Sequence, residues 1–106
     1  ELRESEKYEK IREDLLDQLQ RNFTYGQQFK DLVEDYMAFW ITKSLLIEDI
    51  NKRGVNVKYN NGGGQSGYKR NDSVGELNKT NAQMLKLLNE LGIKATVADS
   101  GDDDEL

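Results

Sequence analysis

The feature that most limits how this chain can fold is a helical segment, residues 25–52, whose apolar surface runs most of the way round. Phe29, Leu32, Val33, Tyr36, Trp40, Ile47 and Ile50 recur at helical spacing. Residues 36–41 add six consecutive uncharged, largely apolar positions, and Leu45, Leu46 and Ile47 form a second run. A helix of this kind must be covered on several sides. Gly54 suits the left-handed position that closes a helix, and Thr24 with Gln27 three residues later predicts a capping box at the start. The remaining chain is too polar to supply the cover: of 106 residues, 36% are hydrophobic and 33% charged. Other subunits are expected to supply it.

The flanking segments are thinner. Residues 2–20 read as a helix with a narrow stripe of Tyr8, Ile11, Leu15 and Leu19, Leu16 beside it, and a stop at Asn22. In residues 55–70 the period changes. Val55, Asn56, Val57, Lys58 and Tyr59 alternate as a strand does, residues 60–67 are turn chemistry, and Tyr68, Lys69 and Arg70 form a return strand. This predicts a β-hairpin with a long, flexible Gly-rich tip. A third helix opens around Asn71, Asp72 and Ser73, with Ser73 and Glu76 as a capping-box pair, and closes at Gly92. Its seam of Val74, Leu77, Asn81, Met84, Leu88 and Leu91 steps by three and four, and Asn81 at a core position of such a seam can set register or oligomer state. The expected fold is mainly α: a helical hairpin with a long central helix, a β-hairpin insertion and a C-terminal helix. Residues 1–95 form one domain, followed by a disordered acidic tail at 96–106.

Absences narrow the chemistry. The sequence has no Cys and no His. That removes disulfides, thiolate nucleophiles, cysteine-based zinc sites and imidazole general bases. No metal or cofactor is expected. No apolar run is long enough to span a bilayer and no signal peptide is visible. The first residue is Glu, not Met, which leads us to expect a trimmed N-terminal piece. The net charge of −5 divides unevenly: residues 1–22 carry −2, residues 23–53 carry −1, residues 54–71 carry +3, residues 72–95 are neutral and residues 96–106 carry −5. The body is thus close to neutral, with one positive segment, and the overall charge does not exclude a nucleic-acid partner.

The Gly-rich run 62–67 lacks the Gly-Lys-Ser/Thr ending of a phosphate-binding loop and opens no helix directly, so it reads as a hairpin tip. The positive segment owes its charge to Lys58, Lys69 and Arg70, near one another in a hairpin and flanked by Tyr59 and Tyr68. These can contact phosphates, weakly in one copy and additively around a symmetric oligomer. Arg3, Lys7, Lys10 and Arg12 are secondary candidates, since seven acids share their segment. The carboxylate pairs Glu34/Asp35 and Glu48/Asp49 read as solvated helix surface, with no acid pair or metal motif. Tyr36, Phe39, Trp40, Ile47, Leu77, Asn81, Met84 and Leu88 are expected in the core and the subunit interfaces.

The order of these elements resembles a known family. A long helix containing Tyr36, Met37, Ala38, Phe39 and Trp40 ends in a glycine. A hairpin with a Gly/Asn-rich tip follows, then Asn71, Asp72, Ser73 and Val74, a leucine-rich helix, and a closing Leu88, Asn89, Glu90, Leu91, Gly92, Ile93. Over residues 25–95 this resembles the P27 family of phage terminase small subunits. Members commonly open the last helix with Asn-Pro-Ala or a similar tripeptide and end in Leu-Gly-Leu/Ile-x-Pro. Here Asp72 and Ser73 follow Asn71, and Lys94-Ala95 replaces the final proline. The resemblance implies a non-enzymatic small subunit that recognises double-stranded viral DNA in genome packaging and recruits or regulates the large ATPase-nuclease subunit. It further implies a homo-oligomeric ring, expected as a nonamer, acting in the host bacterial cytoplasm. The acidic tail is then a candidate contact for the large subunit. A helical oligomer that binds only proteins is the alternative. A helix-turn-helix regulator is disfavoured, because the helix after Gly26 is too long and apolar for a recognition helix.

Overall fold

The computed structural model describes residues 2–94; the acidic tail expected from residue 96 lies outside them. A 3₁₀ turn, Leu2–Glu4, leads into α1 (Glu6–Arg21) and α2 (Gln27–Arg53). The antiparallel hairpin β1 (Asn56–Gly62) and β2 (Gln65–Arg70) precedes α3 (Asp72–Glu90). The chain is mainly helical, as expected, with the hairpin as its one sheet among the described residues.

Local chemistry sets the boundaries. The first helix begins later than expected because Ser5 intervenes: its hydroxyl accepts the Tyr8 amide at 3.1 Å and caps α1. At the other end the Thr24 amide reaches back to the Leu19 carbonyl at 2.9 Å and the Phe23 amide to Gln20 at 3.1 Å. This is a Schellman closure with Phe23 in the left-handed position, φ 57°. The expected Thr24–Gln27 capping box does not form. Thr24 is committed to closing α1, and Gly26 (φ 133°) makes the bend into α2 without a side-chain cap. The end of α3 repeats the closure: Ile93 bonds to Leu88 and Gly92 to Asn89, with Gly92 at φ 72°.

α1 and α3 each run antiparallel to α2. Tyr8 meets Trp40 edge to face at 5.7 Å, and Arg12 bonds Glu34 at 2.6 Å, so the start of α1 faces the middle of α2. The start of α3 lies beside the end of α2, where Asn71 touches Asp49 and Gly54. Leu91 joins the core of Tyr8, Leu15, Leu19, Val33 and Met37. Val33 and Met37 are completely inaccessible, and they are the only buried residues of α2. The C-terminal half of α2 therefore has no filled core. Ile41, Leu46 and Ile50 are half-buried, and Leu45 and Ile47 remain 52% and 39% exposed. The molecule measures 61 × 39 × 25 Å with a radius of gyration of 18.7 Å, against about 13 Å for a compact domain of 100 residues.

Two further expectations are corrected. The seam of α3 faces inward, with Met84 and Leu91 buried and Val74, Leu77 and Leu88 half-buried, but Asn81 is only half-buried and its neighbour Thr80, 7% exposed, is the buried polar residue. The hairpin tip is short. Asn60 pairs with Ser66 and Gly62 with Gln65, leaving Gly63 and Gly64 as a two-residue turn with φ of 58° and 81°. Both values are left-handed, the backbone that matches the twist of the flanking strands and that glycine adopts without a steric penalty. The glycine run thus forms a tight turn, with a bulge between Asn60 and Gly62, and no long loop.

Candidate nucleic-acid interface

The hairpin projects from the junction of α2 and α3 and makes few contacts with the helices. Its register divides its side chains into two faces, because directly opposed residues share a face. Asn56 opposes Arg70, Lys58 opposes Tyr68, and Asn60 opposes Ser66; all six are exposed. Val57 opposes Lys69 and Tyr59 opposes Gly67 on the other face. There Val57, Tyr59 and Gly67 are half-buried. The Tyr59 ring lies where a Cβ on residue 67 would stand, 3.2 Å away, so bare backbone at Gly67 is what admits the ring. The three cations expected to act together are thus split. Lys58 and Arg70 share one face, and Lys69 lies on the other with its ammonium 3.8 Å from Asp72. No acidic residue lies between 54 and 71.

The α1 cations stand apart from this arm. α1 packs on the N-terminal half of α2, and the hairpin springs from the far end of a helix about 40 Å long. Lys7 is exposed, and Lys10 lies 4.0 Å from Glu6. Arg12 gives both Nε and Nη2 to Glu34, at 2.8 and 2.6 Å, and clamps α1 to α2. Of the residues expected at interfaces, Met84 is already covered within the chain and Leu88 packs on the core. Tyr36, Phe39, Trp40, Leu77 and Asn81 are half-buried and Ile47 is exposed. Burial pushes the Tyr36 phenol above its ordinary pKa.

What fixes the arm is a polar cluster at its base. Asn71, with no accessible surface, closes β2 and caps α3. Its Oδ1 accepts from the Ser73 amide at 3.0 Å and from Arg53 at 3.1 Å. Its Nδ2 donates to Asp49 and to the Gly54 carbonyl, both at 3.0 Å, and its own amide donates to Val55 at 2.6 Å. Asp49 also accepts from Arg53 Nε at 2.7 Å and from the Ser73 hydroxyl at 2.7 Å. The expected Ser73–Glu76 box is displaced, because Asn71 takes the cap and frees Ser73 to bond Asp49. Asp49, expected on a solvated face, joins α2, the hairpin and α3. The i,i+4 spacing of Asp49 and Arg53 was a legible sign of that pair. Nothing in the sequence marked Asn71 as buried.

The Arg53 hydrogen bonds, followed by those from Ser73 and Asn71, hold the Asp49 carboxyl well below the usual carboxylate range. A depressed folded-state pKa adds stability above the unfolded carboxyl pKa of about 4, and that stability is lost as pH falls below it. Thermal melts between pH 7 and pH 2 should therefore show a steeper acid loss for the native chain than for Asp49→Asn. Parallel curves would mean that the carboxylate does not hold the junction.

Among the described residues no group of three or more acids could hold a metal ion, and no helix is long and apolar enough to cross a membrane. No curated protein and no solved structure matches the chain. The sequence does match the family described as phage terminase, small subunit, over residues 9–96, from the first turns of α1 to just past α3. A match over most of the 106 residues, embracing all three helices and the hairpin, settles the kinship: the chain belongs to the small-subunit family of phage terminases.

Proposed function

We infer that this chain is a non-catalytic adaptor of viral genome packaging that assembles into a ring, binds double-stranded viral DNA and recruits or regulates the large ATPase-nuclease subunit. The observation that carries this reading is the family match over residues 9–96. Within that family the motifs around Trp40, Asn71 and Gly92 favour the P27 branch. The elongated shape and the unfilled C-terminal half of α2 support assembly, because a ring neighbour would cover Leu45 and Ile47. Nine copies is the proposed number.

Lys58, Lys69 and Arg70 supply the positive potential for DNA, repeated once per subunit. Lys7 and Lys10 contribute less, and Arg12 serves α1–α2 packing first. The acidic tail is the proposed contact with the large subunit, and the site of action is the host bacterial cytoplasm. No cofactor takes part.

Titration of the purified chain with duplex DNA at two salt concentrations tests the reading. Affinity should fall steeply with salt and should drop when Lys58, Lys69 and Arg70 are all changed to Ala. Binding indifferent to salt, or unchanged in the triple variant, would remove the basic patch from the account, and no duplex binding at all would leave a helical oligomer that binds only proteins.

A further inference from the structure

We propose that the hairpin engages DNA with one face only, as a β-ribbon lying in the major groove, and that Lys58, Tyr68 and Arg70 make the contacts. The inference rests on the DNA-binding reading and adds the face, the groove and an uncharged contact residue. Exposure alternates from Asn56 to Asn60: Asn56, Lys58 and Asn60 are open, Val57 and Tyr59 half-covered. Across the pair, the open face continues through Ser66, Tyr68 and Arg70. It carries two cations, no acid and otherwise only hydrogen-bonding side chains, whereas the opposite face spends Tyr59 on Gly67.

Tyr68 is 74% exposed and stands directly opposite Lys58. A tyrosine left so open on a ribbon serves neither the core nor the cross-strand packing that Tyr59 provides. It does offer a phenol and an apolar edge to the surface that the two cations attract. Two strands about 4.8 Å apart, with side chains on one face, suit a major groove about 12 Å wide. The major groove of A-form RNA is too narrow for such a ribbon, so B-form DNA is the partner. Lys69, on the half-buried face and with its ammonium near Asp72, adds potential without touching the duplex.

Single variants separate the faces. In fluorescence titrations near about 0.1 M salt, Lys58→Ala should weaken duplex binding about eightfold per engaged hairpin and flatten the salt dependence by about one unit of slope. Tyr68→Ala should weaken binding with the slope unchanged, since no ion is released by that contact. Lys69→Ala should stay within about twofold of the native chain. Methyl green, a major-groove ligand, should displace the protein, and netropsin, a minor-groove ligand, should not. All three side chains are exposed, so unchanged melting curves will show that each variant folds. Equal losses for Lys58→Ala and Lys69→Ala, no loss for Tyr68→Ala, or displacement by netropsin would overturn the one-faced ribbon while leaving DNA binding standing. No duplex binding by the native chain would overturn both.

Discussion

Replacing Asn71 with alanine should destabilise the chain by about 2–4 kcal/mol and lower the melting temperature by roughly 10–20 °C, a large effect for a single polar residue. The side chain performs two tasks at once. Its oxygen caps α3, a contribution of about 1 kcal/mol, and its nitrogen satisfies Asp49 and the Gly54 carbonyl. Alanine would strand those acceptors at a buried position, at a cost of about 1–3 kcal/mol. Asn71→Ser keeps an oxygen near the cap and should recover part of the loss. Asn71→Asp is the sharper variant. It retains the acceptor for Ser73 and Arg53 but turns an oxygen toward Asp49 Oδ2 and the Gly54 carbonyl. At pH 7 it should be no more stable than the alanine variant. It should gain on that variant as pH falls from 7 toward about 4, because two carboxyls so close raise one pKa above its unfolded value and one of them takes a proton in that range. Melting curves at pH 7 and pH 4 check this. An alanine variant that melts with the native chain would show that the junction is held by apolar contacts alone.

That junction also explains why the hairpin can be a directed arm. A two-stranded ribbon is marginal by itself, and this one has few helix contacts. Asn71 joins both of its ends, through the Val55 carbonyl at the start of β1 and through its own place after β2. The amide-rich corner where sheet gives way to helix is therefore a structural part of any DNA contact made farther out. The Asn that opens the last helix has a physical role here: a residue that can donate and accept in the same plane is what this buried corner requires.

Much of this was legible from residue patterns, and the failures have identifiable causes. The long helix was readable because Phe29, Val33, Tyr36 and Trp40 keep a 3.6 period over many turns, and the hairpin because Val57, Tyr59 and their polar neighbours keep a period of two. The capping boxes at Thr24 and Ser73 were misplaced because a box is a local pattern and other groups compete for it. Thr24 was taken by the closure of α1, and Ser73 by Asp49, 24 residues away in sequence. The glycine run at 62–64 looked like slack chain, since composition cannot distinguish a loose loop from a turn that needs two left-handed residues. Thr80 took the buried polar place expected of Asn81 because the inward stripe of α3 is broader than a two-position seam: Thr80 lies one turn before Met84 on it, and Asn81, about 100° round the axis from Thr80, is only half-buried. The division of the cations between two faces could have been inferred from the alternation, had the register been known; the turn position fixes it, and that depends on which glycines turn.

A single charge on either flank of α2 should dismantle the proposed ring. Leu45 and Ile47 are two residues apart, hence about 200° apart around the helix axis, and both are exposed. The C-terminal half of α2, only partly covered by α3, therefore offers two unlike apolar flanks. A two-fold dimer needs one self-complementary patch, whereas a ring needs two different ones, each subunit giving one to either neighbour. Leu45→Glu and Ile47→Glu each place a carboxylate in every contact of such a ring, at a cost of several kcal/mol when desolvated, and each should yield monomers in size-exclusion chromatography with light scattering. Mixing the two variants restores one good contact, between the intact Leu45 flank of one and the intact Ile47 flank of the other, so a 1:1 heterodimer should appear and grow no further. Assembly that survives both changes, or a mixture that stays monomeric, would refute the two-flank arrangement. DNA binding should fall with the assembly. Each hairpin carries only three cations, and linking many copies raises avidity by about 10²–10⁴ without any new contact. A monomer that binds duplex as tightly as the assembled form would show that one hairpin suffices and that the ring serves another purpose.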